Sequence, residues 1–390
     1  MSASDDSSHF HFAHRRSLEA LERRNRLRSL VARQGCDFSS NDYLGLATSD
    51  ELRSAVGEAL SRGVAIGSGG SRLLRGNDPE HAALEVQAAK AFGSEGALFF
   101  SSGFAANAAL FATLPQRGDL VVHDRLVHAS VHDGMRLSKG SVVAAPHNDA
   151  QGFDDAIRSW RQAGGLGRPW ISVESLYSMD GDLAPLDELI GVADKHSGVL
   201  VIDEAHATGV LGPGGRGLGA HLEERDNVVS LHTCGKALGV MGGLVCGPRV
   251  LIDFLVNRCR PFIYSTAPSP LMAASVRAAL RMIVGEAAPE GEVRRGRHRL
   301  LVARIGEMLE RRCGIKPTGT HIQPIVIGSD EQAVGLAGRL QGRGFDIRAI
   351  RPPTVPEGTA RLRMSLTLNV SEDTAARLVE ALAPELERVP

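Results

Sequence analysis

The chain has 390 residues, 43% hydrophobic and 23% charged, with 44 glycines, a length beyond one compact core and a composition that excludes a mainly disordered protein. Its 44 basic and 45 acidic residues leave a formal net charge of -1, which excludes a global field for nucleic acid and leaves any anion site to local geometry. The five cysteines, Cys36, Cys234, Cys246, Cys259 and Cys313, are scattered without CxxC spacing, so no disulfide framework or zinc ribbon is expected and a reducing compartment fits.

The polar opening MSASDDSSHFHFAHRR lacks the apolar core of a secretory signal, and no run reaches the length of a membrane span. Arg15, Arg16, Arg23, Arg24, Arg26 and Arg28 hint at an organelle presequence, but Asp5, Asp6, Glu19 and Glu22 break its acid-poor pattern. A cytoplasmic protein is expected, with a helix around 17–33 that packs with the C-terminal part. From about residue 96 the apolar runs ALFF, LVVHD, SVVAA, PWISVES and GVLVIDEAH recur with helix-length segments between them, the pattern of a parallel sheet covered on both faces. VVSLH at 228 and GGLVCG at 242 follow too closely for a helical crossover, so this pair is expected to be antiparallel. Beyond about 285, the helical stretch EVRRGRHRLLVARIGEMLERR, the strand candidate IQPIVIG, a further helix, DIRAIRPP and RLRMSLTL read as a smaller α+β part. The expected class is α/β, a mostly parallel central sheet with one antiparallel strand plus a smaller α+β domain. The expected division is 1–45 packing with the small domain, 46–284 as the large domain, and 285–390 as the small one.

In VLVIDEAHATGV, residues 199–210, an apolar strand delivers Asp203 and then His206 to the carboxyl end of the sheet, where open α/β sheets bind ligands. A carboxylate there is costly to desolvate without a cation or donor. A protonated pyridine nitrogen is one such partner, and a helix-capping role is an equal alternative. HTCGKALG, residues 232–239, sets Lys236 after a glycine just past a strand end. An amine so placed forms an imine with an aldehyde cofactor and, with its pKa lowered, acts as a base; a solvated charge is the ordinary alternative for a lone lysine. FFSSGFAANAAL, residues 99–110, leads from a strand through Ser101, Ser102 and Gly103 into an Ala-rich helix whose first amides suit a phosphate, with the Ser102 hydroxyl beside them. A plain serine cap is the alternative, and neither a Walker loop nor GxGxxG is present. In RLVHASVHDG, His128 and His132 are spaced for one helical face. A metal there lacks the HExxH glutamate and needs Asp203, Glu204 and His206 as further ligands, so an imidazole stacked on a flat cofactor is favoured over it, with a capped or solvated histidine as the plain alternative.

Taken together, SSNDYLGL (39–46), GSGGSRLLRGN (67–77), SSGFAAN (101–107), HAS (128–130), SMDGD (178–182), IDEAHATG (202–209), TCGK (233–236) and YST (264–266) resemble the α-oxoamine synthase family, in its order and over nearly the whole chain. The resemblance implies a fold-type-I pyridoxal-phosphate transferase, a homodimer with shared active sites, that condenses an amino acid with an acyl thioester and releases carbon dioxide. It makes Lys236 the imine lysine, pairs Asp203 with the pyridine nitrogen, stacks His128 on the ring and sets His206 and Ser178 against the phenolic oxygen of pyridoxal 5'-phosphate. It seats the phosphate on the Gly103 and Phe104 amides near Ser102 with Thr233, brings Thr266 from the second subunit, and calls for no metal. Lys236, His128, Asp203 and His206 are then the catalytic set. AIRPPTVPEGTARLRMSLT, residues 349–367, is similar to the ending of members that join L-alanine to a pimeloyl thioester, on coenzyme A or a carrier protein, in biotin biosynthesis. There Arg351 binds the substrate carboxylate as a planar bidentate donor, with Asn41 and Arg28 completing the substrate pocket; a solvated charge is the ordinary alternative for both arginines. Glycine- and serine-using members, a non-catalytic partner subunit on this fold and a metal hydrolase are the competing functions. Cys234, Met241 and the Asp78–Pro79 run depart from the family pattern without removing a needed chemical group.

Overall fold

The computed structural model describes residues 10–285 and 288–388; Asp5 and Asp6 lie outside the described residues. The helices are α1 (Phe12–Arg23), α2 (Asp50–Ser61), α3 (Pro79–Phe92), α4 (Gly103–Thr113), α5 (Ala129–Arg136), α6 (Ala150–Gln162), α7 (Leu186–Lys195), α8 (Arg249–Arg258), α9 (Arg260–Ile263), α10 (Pro270–Ile283), α11 (Pro289–Cys313), α12 (Asp330–Gly342) and α13 (Glu372–Leu386). The strands are β1 (Cys36–Asp37), β2 (Gly96–Phe100), β3 (Leu120–Asp124), β4 (Ser141–Ala145), β5 (Pro169–Glu174), β6 (Val199–Asp203), β7 (Val228–Thr233), β8 (Gly243–Gly247), β9 (Ile322–Gly328), β10 (Phe345–Asp346), β11 (Arg348–Ile350) and β12 (Ala360–Ser365). They form two compact units, a larger one of Asn41–Leu300 with Thr367–Asn369 and a smaller one that includes Leu301–Leu366.

The larger unit is built on a seven-stranded sheet in the order β2-β8-β7-β6-β5-β3-β4. The strands β3, β5, β6 and β7 are buried throughout, which explains why they read as nearly unbroken apolar runs. Alternate residues serve opposite faces: Val121, Val199 and Val201 pack with Leu110 and Val131, whereas Leu120, Val122, Leu200 and Ile202 pack with Phe153, Ile157 and Leu189. The strand β8 runs antiparallel to both β7 and β2, as the short gap after β7 requires, and the remaining neighbours are parallel. The chain passes from β3 out to β4 and back to β5 on the other side of β3. That reversal opens a crevice at the carboxyl ends of the strands, the usual ligand position in such sheets.

In the smaller unit β11, β12 and β9 form an antiparallel sheet, and β1 pairs parallel with β10. Phe38, Ile305, Leu336, Leu362, Met364 and Leu378 lie in one core. The helix expected around 17–33 is corrected: α1 ends at Arg23, and none of its residues is buried. Asn25 takes a left-handed φ of 55°, and Arg26 is drawn into ion pairs with Asp330 at 2.6 Å and Glu357 at 2.8 Å, so tertiary charge pairing overrides the helical propensity of the arginine run. The Asp78–Pro79 departure makes a helix start, since Asp78 and His81 form a reciprocal capping box on α3 with Pro79 in its first turn. All five cysteines are free. Among the described residues no helix is long and apolar enough to cross a membrane.

Candidate active site

At the carboxyl ends of β5, β6 and β7, beside the start of α4, a cavity of about 180 Å³ is lined by Gly103, Phe104, Asn107, His128, Glu174, Asp203, His206, Thr233 and Lys236, among others. Each side chain arrives there for a local reason. The apolar run of β6 ends on Asp203, and the chain then turns so that the Ala205 amide donates to Asp203 Oδ1 at 2.9 Å. From α4, Asn107 Nδ2 donates to Asp203 Oδ2 at 2.7 Å, because position 107 lies one turn beyond Gly103 on the same helical face. Two donors therefore fix the orientation of the carboxyl group.

Lys236 Nζ lies 2.9 Å from His206 Nε2, and His206 Nδ1 lies 2.6 Å from the Tyr43 hydroxyl. The hydroxyl also donates to Asn41 Oδ1 at 3.0 Å. With its proton on Asn41, the hydroxyl accepts from His206 Nδ1–H, which leaves Nε2 bare to accept from the lysine ammonium. Asn41, Tyr43, His206 and Lys236 thus form one directed chain of hydrogen bonds. His128 is the N-cap of α5, with Nδ1 accepting from the Ser130 amide at 3.2 Å and lying 2.8 Å from the Ser130 hydroxyl. Desolvation outweighs the attraction of Asp203, and Lys236 adds to it, so the His128 pKa is lowered and the imidazole is kept neutral. The helix begins after His128, so His128 caps it and His132 lies within it, near enough for each charge to disfavour the other. His132 sets its ring edge-on to His123, with centroids 5.0 Å apart.

The start of α4 borders the same cavity. The first amides of a helix have no intrahelical acceptor, and Gly103 and Phe104 supply them here. The Ser102 hydroxyl caps the helix by accepting from the Ala105 amide at 3.0 Å. A Cβ on Gly103 would stand 3.0 Å from Thr233 Oγ1, and one on Gly243 would stand 2.8 Å from the Ser102 carbonyl oxygen. The glycines let backbone and hydroxyl converge.

Other predicted residues lie off this cavity. Ser178 is buried in the loop after β5, its amide donating to Glu174 Oε2 at 3.1 Å, and Thr266 is exposed. Arg28 and Arg351 belong to the smaller unit, where Arg351 bonds to the Asn25 carbonyl and Arg28 reaches the Thr354 hydroxyl at 3.4 Å. Glu204 turns away from Asp203 to bind the Gly219 amide at 2.5 Å and the Leu218 amide at 3.1 Å. Cys234 is fully buried, and burial pushes its thiol pKa well up.

Three residues of the site carry signals that the motif reading passed over. Glu174 ends an apolar strand as Asp203 does, and the two are direct partners in the β5–β6 register. Burial, reinforced by the Asp203 charge, pushes Glu174 up to about 8, and its Oε1 has no hydrogen-bond partner among the described residues. Asn107 is a polar residue in an otherwise apolar helix start, and Tyr43 lies inside SSNDYLGL.

Residues 33–382 match the family described as aminotransferase class I and II. The chain is 42% identical over 363 residues to 8-amino-7-oxononanoate synthase of Chromobacterium violaceum, covering 90% of this chain and 92% of that one. It is 43% identical over 352 residues to the Burkholderia pseudomallei protein of the same name, covering 88% and 87%. Among solved structures, serine palmitoyltransferase of Sphingomonas wittichii aligns with a TM-score of 0.84 at 25% identity over 99% of this chain and 100% of that one. The 8-amino-7-oxononanoate synthase of Francisella tularensis aligns with a TM-score of 0.75 at 26% identity over 91% and 98%. A structure described as SPT with PLP aligns with a TM-score of 0.81 at 27% identity over 90% and 87%. By these matches the chain belongs to the class I and II aminotransferase family, in its 8-amino-7-oxononanoate synthase group.

Proposed function

We propose that the chain is a pyridoxal-phosphate-dependent acyltransferase of biotin biosynthesis that condenses L-alanine with a pimeloyl thioester to 8-amino-7-oxononanoate, carbon dioxide and free thiol. The observation that carries this reading is the 42% identity to an 8-amino-7-oxononanoate synthase across 90% of the chain, joined to a cavity that holds an amine, a buried carboxyl group and a helix start within reach of one small ligand. The donor set fits the cofactor. The Gly103 and Phe104 amides with Thr233 would seat its phosphate, Asp203 would face its ring nitrogen, His128 would lie against its ring, and His206 with Ser178 would take its phenolic oxygen.

Bound pyridoxal phosphate supplies the electron sink for charge developing at the amino acid α-carbon. The protein supplies the proton handling and the aim. Lys236 Nζ, once free of the cofactor, is the base placed to move the α-proton, and the bare Nε2 of His206 beside it is an acceptor for its N–H. Tyr43 and Asn41 fix the tautomer that leaves Nε2 bare. Asn107 and the Ala205 amide keep the Asp203 carboxyl in one orientation, so no reorganisation is needed as charge shifts.

In the same reading the larger unit, Asn41–Leu300 with Thr367–Asn369 in place of the expected 46–284, is the cofactor-binding domain. Arg351, with Arg28, takes the substrate carboxylate, and Asn41 helps line the amino-acid side. Thr266 serves the site of a second copy in a cytoplasmic homodimer. Purified protein supplied with alanine, glycine or serine and with pimeloyl or palmitoyl thioesters tests the proposal. Product from alanine and a pimeloyl thioester is expected, and faster turnover with serine and a long-chain thioester would favour the serine palmitoyltransferase activity suggested by the structural likeness.

A further inference from the structure

Outside the pocket, three segments of the larger unit meet at one imidazole. His147 follows β4, Asp124 ends β3, and Asp182 lies in the loop after β5. His147 Nδ1 is 2.9 and 3.0 Å from the two Asp124 oxygens, and Nε2 is 2.7 Å from Asp182 Oδ2. A neutral imidazole has one N–H and cannot donate to carboxylates from both nitrogens, so this double contact calls for the imidazolium form. Burial opposes the charge, but the bonds to Asp124 and Asp182 prevail and raise His147 to about 9. Burial alone would raise Asp124, yet the bond to His147 holds it below its ordinary value.

The surroundings add to the clamp. Asn148, at a left-handed φ of 53°, donates from Nδ2 to Asp182 Oδ2 at 2.7 Å and from its amide to Asp124 Oδ2 at 2.8 Å. Tyr177 sets its ring edge-on to His147, with centroids 4.5 Å apart, and burial together with Asp124 and Glu174 keeps its hydroxyl protonated. The titratable groups around His147 are therefore Asp124 from β3, Asp182 and Tyr177 from the loop, and Glu174 of β5 acting on Tyr177.

The clamped loop is folded on itself. The Tyr177 amide donates to the Asp182 carbonyl at 2.9 Å, the Gly181 amide to the Tyr177 carbonyl at 3.0 Å, and the Ala184 amide to the Ser175 carbonyl at 3.1 Å. One of its amides, that of Ser178, holds Glu174 Oε2 at 3.1 Å, and Glu174 lines the cavity next to Asp203. We propose that His147 is a positioning residue: as a cation between Asp124 and Asp182 it clamps the loop 175–184 and thereby, through the Ser178 amide, fixes Glu174 in the wall of the pocket. The inference rests on reading that pocket as the catalytic site.

Its pH sign is set. The clamp is complete below the ordinary histidine pKa of about 6.5 and is lost as pH rises through about 9. The test compares cofactor-loaded wild type with His147→Gln and with the milder Asp182→Asn, which serves if the first fails to fold. Hydrogen exchange read by mass spectrometry near neutral pH should be about tenfold faster across 175–184 in both variants, with β6 unaffected. The wild-type to variant ratio of kcat/KM for alanine should be about tenfold near neutral pH and shrink toward one as pH passes about 9, because the wild type loses the same proton. A ratio that stays flat with pH, or unchanged exchange in 175–184, overturns the proposal. Wild type that makes no product from alanine and a pimeloyl thioester overturns the functional reading instead, while the exchange experiment still decides the clamp.

Discussion

The strand ends of the larger unit and the arginine-bearing segments of the smaller one hold charge in opposite ways. At the strand ends the polar groups draw partners from within the chain: Asp203 from Asn107 and Ala205, Lys236 from His206, and Glu174, through one oxygen, from Ser178. In the smaller unit Arg351 lies near Arg28, and burial first and then that like charge lower its pKa. Its nearest acceptor is the neutral carbonyl of Asn25. Asp330 offsets that lowering only in part, and in the proposed function the two arginines take the substrate carboxylate. On that proposal the first region is organised before substrate arrives, and the second is completed by it. Changes in the first should therefore fall mainly on kcat, and changes in the second on KM.

The largest expected effect tests the first half of that statement. Lys236→Ala should lower kcat about a thousandfold or more and abolish covalent attachment of the cofactor, read by borohydride reduction and peptide mass. A reduced adduct at another lysine would overturn the assignment. Asp203→Asn should keep the fold, since Asn107 can turn its amide to match, yet slow α-proton exchange from alanine about a hundredfold. Exchange at the wild-type rate would show that the carboxyl group is only a cap.

The second half of the comparison predicts a different signature. Arg351→Ala should raise the KM for the carboxylate-bearing substrate about tenfold to a hundredfold, with kcat changed about threefold or less, and Arg351→Lys should recover part of the loss. A fall in kcat at unchanged KM would move Arg351 into the first class. Gly103→Ala lies between the two, because the added methyl stands 3.0 Å from Thr233 Oγ1. Cofactor affinity, measured by quenching on titration with pyridoxal phosphate, should weaken about tenfold.

What was legible in the sequence follows the same division. Fold class and sheet were readable because buried parallel strands announce themselves as apolar runs, and Asp203 stood out as the charge ending one of them. Glu174 ends β5 in the same way, but its importance comes from the register that sets it beside Asp203, and register is a tertiary fact absent from either segment alone. The spacing of His128 and His132 was legible, but the helix boundary between them, which makes His128 a cap, was not. The run after Arg23 reads as helix by propensity, yet Arg26 finds better partners in Asp330 and Glu357, more than three hundred residues along the chain. Local rules see composition and period; they do not see a partner that distant.

Glu174 offers the smallest expected effect and the finest test of the comparison. If its carboxyl group is neutral near pH 7, as a value of about 8 requires, then Glu174→Gln keeps the shape and charge of the native group, and kcat near neutral pH should change by about threefold or less. The folded state binds this proton and the unfolded chain does not between the ordinary glutamate pKa of about 4.3 and about 8, so this group makes stability fall as pH rises through that window and level off above it. The glutamine variant lacks that slope. Its Tm should gain on that of the wild type steadily from about pH 5 upward and hold a constant advantage above about pH 8. Parallel Tm curves for the two proteins would mean that Glu174 is ionised throughout, and the strand ends would then carry two adjacent negative charges in need of a cation, the condition that the comparison assigns, with opposite sign, to the arginines of the smaller unit.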